Sequence, residues 1–169
     1  MILTRNVILR EIESGRVVID PHQLDQIGPA SIDLHLGDEI RVMEGGPEVI
    51  DIVEDADYRT VTQVRTLNDP YLLKPGETIH GITRERIQLP GDIGGWLEGR
   101  SRFARLGLMI HVTSGFVAPG VKNRQVLEMS NVAGRPLAIH AGTRLCQLVL
   151  QRAEGSAIYQ GRFARQERL

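Results

Sequence analysis

Turn signals recur along this chain at short, nearly regular intervals, and they confine it to a fold built of short strands. They fall at Lys74-Pro75-Gly76, Leu89-Pro90-Gly91-Asp92, Ala118-Pro119-Gly120, Gly134-Arg135-Pro136 and Ala141-Gly142. Proline fixes φ and removes a donor, and glycine opens the left-handed region, so each cluster ends the element before it. Between them lie apolar runs such as Ile93–Leu97, Leu108–Val112, Val126–Met129 and Arg144–Leu150. Such spacing predicts a mainly β fold, either a sandwich or a jelly-roll-like barrel.

Two helices interrupt the pattern. Thr4 can cap a first helix in which Ile8, Leu9 and Ile12 share a face and which Gly15 ends. Ser101–Leu106, closed by Gly107, predicts a short internal one. Ser31–Leu36 alternates as a strand and is expected to stop at Gly37-Asp38. Residues 44–70 are acidic, irregular and broken by Gly45-Gly46-Pro47, which predicts a long excursion or surface hairpin. The tail from about residue 153 has few apolar residues and carries Arg162, Arg165 and Arg168. It is expected to be flexible, ordering on a ligand or a neighbouring subunit. At 169 residues the chain is read as one domain, 1–169.

The net charge of −1 implies no broad basic face, so nucleic acid is not an expected partner. The single cysteine, Cys146, excludes an intramolecular disulfide and a multi-cysteine zinc site. It lies in an apolar strand-like run and reads as a small buried hydrophobe. No apolar run is long enough to span a bilayer and no leader pattern is visible, so a soluble, cytoplasmic protein without a membrane partner is expected.

Two features carry chemistry. Gly99-Arg100-Ser101-Arg102 leads into the short helix, with Arg105 one turn on. Backbone N–H groups at a helix start and guanidinium forks both suit phosphate oxygens. The bland alternative is a capped surface helix with solvated arginines. The second feature is Glu128, which interrupts Val126-Leu127-Glu128-Met129. Strand periodicity puts Val126 and Glu128 on one face and Leu127 and Met129 on the other. A carboxylate there needs pairing, hydrogen bonds or a shifted pKa, and Arg105 and Arg124 are available partners. Such a group suits general acid/base work; a structural ion pair is the competing reading.

Taken together these residues resemble the dCTP deaminases of the dUTPase superfamily. The resemblance rests on Gly28–Gly37, on Gly99-Arg100-Ser101 with Ala104–Leu108, on His111-Val112-Thr113, on Val126-Leu127-Glu128 with Asn131, and on Pro136–Ala138, Gly142–Arg144 and Tyr159–Gly161. It implies a distorted jelly-roll or β-barrel subunit of the dUTPase-like type and a homotrimer with active sites between subunits. It implies hydrolysis of dCTP to dUTP and ammonia, with Mg2+ on the triphosphate and no zinc. Glu128 would be the acid/base, assisted by Ser101 and Arg105. Arg100 and Arg102 would meet phosphate, and His111, Val112, Thr113 and Ser114 would line the pyrimidine pocket. Tyr159, Arg162 and Gln166 of the tail would complete the substrate site, and dTTP is a candidate feedback inhibitor. Zinc nucleobase deaminases need a His-x-Glu pair and two further cysteines; none of the five histidines here begins such a pair.

Several positions depart from that family's pattern. Arg102 stands where many members have a second serine, and Ser114 where alanine is common. Ile158 and Arg162 replace a lysine and a glutamine of the tail element; an alternative register aligns Arg162-Phe163 and Gln166 instead. Ala118 stands where an aspartate is usual. In dUTPases that aspartate recognises the sugar and helps activate water, so Ala118 favours deamination that stops at dUTP. Cleavage onward to dUMP, or a nucleotide-binding homologue with little activity, are the alternatives. Asp33 reads as a carboxylate bonded to a nearby loop rather than as a metal ligand. Trp96 reads as a packing residue.

Overall fold

The computed structural model describes every residue except Val112. Helix α1 (Arg5–Glu13) buries Ile8, with Leu9 and Ile12 packed partly against the core. Eleven strands follow: β1 (Val18–Asp20), β2 (Ile32–Met43), β3 (Thr62–Thr66), β4 (Tyr71–Leu73), β5 (Thr78–Gln88), β6 (Ile93–Gly99), β7 (Leu108–Ile110), β8 (Phe116–Val117), β9 (Lys122–Asn131), β10 (Leu137–Ile139) and β11 (Arg144–Arg152). The second helix, α2 (Ser101–Ala104), lies between β6 and β7. The mainly β expectation therefore holds, and so do both helices, although α2 is shorter than expected.

One nine-stranded sheet forms the body, in the order β7-β9-β5-β2-β11-β6-β8, with β1 also on β5 and β3 also on β2. Strands β4 and β10 pair separately. The core is aliphatic: Ile32, Leu34, Leu36, Ile40, Ile79, Ile82, Ile87, Leu127 and Met129 are fully buried. Burying that much apolar surface is the main driving force for a fold of this size.

The first strand motif does not stop at Gly37-Asp38. Ile32–His35 pair with β11, the strand continues through Gly37, and from Leu36 onward it pairs with β5. The β2–β5 register slips between Leu36 and Ile40, so the Gly-Asp pair is absorbed as an irregularity rather than a turn. One strand thus ties the two halves of the curled sheet together. Beyond it, β3 returns along Glu39–Met43, which makes residues 44–61 the loop of a hairpin.

The turn from α2 into β7 needs Gly107. Its φ is +88°, and a Cβ there would meet Ala133 main-chain and side-chain atoms at 2.7–2.9 Å. The tail beyond β11 has neither strand nor helix through residue 160 and runs against the sheet. Ala157 N–H donates to Gly91, Tyr159 N–H to Pro119, and the Arg124 N–H to Gln166 of the tail. Gly120 permits this approach, because a Cβ there would meet Ile158 at 2.8 Å. Trp96 is 38% exposed and stacks with Phe116 at 5.6 Å on the outer face of β6 and β8.

Candidate active site

Strand β9 turns Leu127 and Met129 into the core and leaves Glu128 half-buried on the other face, as its alternation predicts. That face borders an open cavity of about 560 Å³, within the range that holds small ligands. Glu128 is the one carboxylate among its described lining residues. Neither Arg105 nor Arg124 pairs with it. Its Oε2 instead accepts a hydrogen bond from the Thr113 hydroxyl.

His111 lies beside Glu128. Its main-chain N–H donates to the Glu128 carbonyl at 3.0 Å, and its backbone takes a left-handed φ of 53°, uncommon outside glycine. Both ring nitrogens are buried, and among the described residues neither makes a hydrogen bond of good geometry, although the Val126 backbone lies near the ring. Buried polar atoms are rarely left so, which marks them as points for a bound molecule to satisfy. Burial holds the imidazole below its ordinary pKa range, against the opposing pull of Glu128.

The cavity walls are unusually rich in rings for this chain. It has one Trp, three Tyr and three Phe, and four of these rings, Tyr58, Phe116, Tyr159 and Phe163, line the cavity. Flat apolar walls suit stacking on a heteroaromatic base. Asn123, Gln125 and Gln166 supply amide donors and acceptors. The Asn123 amide donates to the Phe163 carbonyl at 2.7 Å, tying the tail to β9. A second cleft, about 370 Å³, shares Tyr58, Phe163 and Gln166 with the first and is lined by Arg59, Arg162, Arg165 and Arg168.

Of the residues singled out from sequence, Glu128, His111, Ser114, Tyr159 and Gln166 border the main cavity, and Thr113 bonds Glu128. Arg162 borders the adjoining cleft. Val112 lies outside the described residues. The arginine turn stands apart: Arg100, Ser101, Arg102 and Arg105 are absent from both linings. Ser101, Arg102 and Arg105 are exposed. Arg100 is engaged, with its guanidinium 3.0 Å from Asp33 and donating to the Arg144 carbonyl at 3.1 Å. Asp33 thus has the bonded role expected of it. Ala118 borders the main cavity.

Sequence reading missed His80 and Tyr58, which also border it. His80 lies on β5 on the face away from the buried Ile79, a placement that shows only once the strand's alternation is known. Tyr58 sits in a segment whose composition signals only irregularity.

The fold and cavity define a class: a mainly β protein whose single cavity carboxylate sits on a strand, within ring-lined walls. The family model described as dCTP deaminase-like matches residues 2–153, and the chain belongs to that family. Among curated relatives, "dCTP deaminase, dUMP-forming" of Acidothermus cellulolyticus is 38% identical over 172 residues, covering 96% of this chain and 90% of the relative. The protein of the same name from Streptomyces avermitilis is 38% identical over 159 residues, covering 93% and 83%. The solved 2'-deoxycytidine 5'-triphosphate deaminase from Agrobacterium tumefaciens superposes with a TM-score of 0.71 at 21% identity, over 90% of this chain. This chain spans 48% of that one, and the likeness shows a shared fold.

Proposed function

We propose that this chain removes the cytosine amino group of dCTP by hydrolysis and carries the product on to dUMP. The observation that supports deamination is the placement of Glu128: one half-buried carboxylate in a ring-lined cavity, held by the Thr113 hydroxyl. In that role Glu128 accepts a proton from water as its oxygen attacks C4 and returns it to the pyrimidine. The buried His111 ring nitrogens offer hydrogen bonds to the base or to the attacking water. The names of the relatives, dUMP-forming, support the second half of the reading over the dUTP-forming activity expected from sequence.

The same reading gives the arginine-lined cleft, with Arg162, to the triphosphate. Mg2+ is assigned to the substrate in this reading, carried by phosphate oxygens and water. Ser101, Arg105 and Arg102 are exposed away from the Glu128 cavity of their own chain. That arrangement supports a homotrimer in which the α2 turn of one subunit serves the cavity of the next. Regulation by dTTP and a cytoplasmic location complete the proposal.

Ala118 favours a second reading, in which the reaction stops at dUTP, because it borders the cavity where the resemblance has an aspartate. Incubation with dCTP and Mg2+, reading ammonia, pyrophosphate, dUTP and dUMP together, decides. Pyrophosphate and dUMP rising in step with ammonia support the first reading. Ammonia with accumulating dUTP supports the second. Tight dCTP binding without ammonia overturns both and leaves a nucleotide-binding homologue.

A further inference from the structure

Glu128 belongs to a row of polar side chains that crosses the sheet. The strand registers set Arg41 of β2 opposite His80 of β5, and His80 opposite Glu128 of β9. His111, bonded through its N–H to the Glu128 carbonyl, comes next. Directly opposed residues share one face of a sheet. The first three positions therefore present a guanidinium, an imidazole and a carboxylate side by side. The opposite face carries Ile79, Leu127 and Met129 in the core, so the fold itself does not call for this row.

His80 is half-buried and borders the same cavity as Glu128. Its ring makes no hydrogen bond among the described residues. What holds it is Tyr58, whose ring meets it edge-on with centroids 5.7 Å apart and planes at 83°. Tyr58 is itself fixed. The Arg41 guanidinium lies 5.4 Å from its ring centroid, and its carbonyl accepts the Thr62 hydroxyl at 2.8 Å. The short turn Tyr58–Thr60 is capped by Asp57, which accepts the Arg59 N–H at 3.0 Å. The otherwise irregular 44–61 loop thus delivers one ring against His80.

We infer that His80 is a further catalytic residue of this cavity, carrying the second of the two protons that hydrolytic deamination moves, with Tyr58 as its positioning residue. The inference rests on the deaminase reading above. As the water oxygen bonds to C4, one water proton passes through Glu128 to N3. The tetrahedral intermediate then holds a hydroxyl and an amino group on C4. The C4–N bond breaks with its electron pair on nitrogen, the hydroxyl oxygen becomes the carbonyl, and its proton has to reach the departing nitrogen to give ammonia. His80 takes that proton at one ring nitrogen and yields it to the amino nitrogen, ending neutral as it began.

The charges around His80 fit this cycle. Burial keeps the ring below the ordinary imidazole range, so it starts neutral and able to accept. Glu128 opposes that shift and stabilises the transient imidazolium, while Arg41 shortens its life. Tyr58 faces it from the turn, and His111 lies beyond Glu128.

The test uses the full chain with dCTP and Mg2+, first establishing that the wild type releases ammonia. His80→Gln keeps a polar side chain of similar length and removes the titrating group. The expected result is a fall in kcat of about 10²-fold, a KM within about threefold, and an acid limb of the kcat–pH profile moved to lower pH, where Glu128 alone sets it. Tyr58→Ala, which removes the ring that holds His80, should lose about tenfold in kcat with KM again within about threefold. A folded His80→Gln protein with wild-type kcat and an unchanged pH profile overturns the inference. Should the wild type release no ammonia, the deaminase reading fails separately. The imidazole NMR signals of the wild type then decide whether His80 touches the ligand: signals moved by dCTP support that contact, and signals left unmoved overturn it.

Discussion

His80 and Glu128 face each other directly across the β5–β9 ladder, on the side of the sheet that borders the ring-lined cavity. Buried Ile79 and Met129, the next opposed pair, point the other way into the core. The same two strands therefore build the hydrophobic interior with one face and line the cavity with the other. Stiff strands are well suited to this, because a side chain on a paired strand is held more firmly than one on a loop.

Glu128→Gln keeps the size of the side chain and a carbonyl oxygen to accept the Thr113 hydroxyl, but cannot take a proton from water. Ammonia release from dCTP is expected to fall by about 10²–10⁴-fold. Nucleotide affinity, read by calorimetry, should stay within about threefold, since the rings and amides of the cavity remain. Turnover at the wild-type rate would remove Glu128 from the mechanism.

Folding stability should fall as the medium is acidified through the imidazole range. His80 and His111 both have folded pKa values held below the reference 6.5 by burial. In that window the unfolded chain binds more protons than the folded one, so stability is fully present above about 6.5 and is lost as pH falls toward the folded values. Melting temperatures measured between about pH 7 and pH 5 should drop by a few degrees more for the wild type than for the His80→Gln/His111→Gln double variant. Parallel curves for the two proteins would show that these rings do not titrate as described.

Arg100 is tied within its own chain, which changes what its removal should do. Its contacts with Asp33 and with the Arg144 carbonyl join α2 to β2 and β11. Arg100→Ala is expected to cost about 1–2 kcal/mol of stability, as charged hydrogen bonds in part-buried settings do. Arg105→Ala, at an exposed position, should change stability by less than about 0.5 kcal/mol. Urea melts of the two variants compare them directly, and equal stabilities would mean that the Arg100–Asp33 contact holds nothing together.

The fold class and the placement of Glu128 on the face away from the core could be read from sequence because each rests on a local pattern. Pro-Gly clusters mark turns wherever they fall, and a charge inside Val126–Met129 stands out against its neighbours. His80 gave no such signal, since a histidine between Ile79 and Gly81 becomes informative only once its register opposite Glu128 is known. Tyr58 was hidden for a related reason: its meaning lies in a contact with a strand more than twenty residues away, made by a segment that looks irregular. Gly37-Asp38 misled in the other direction. Turn residues usually end a strand, yet here the switch of partners from β11 to β5 accommodates them within it.

The separation of Ser101 from the Glu128 cavity leads to a test by subunit mixing. Ser101 sits exposed on α2, and Glu128 borders a cavity to which α2 contributes nothing within one chain. If each active site takes Ser101 from one subunit and Glu128 from the next, Ser101→Ala and Glu128→Gln disable the same sites from opposite sides. Each variant alone is expected to be nearly inactive. Unfolded together in equal amounts and refolded, random assembly of a cyclic oligomer would give about one site in four with both native residues. Ammonia release should therefore recover to about a quarter of the wild-type rate. No recovery, with hybrid oligomers confirmed by mass spectrometry, would mean that both residues serve the site from the same chain, and a Ser101→Ala protein active on its own would mean that Ser101 takes no part in it.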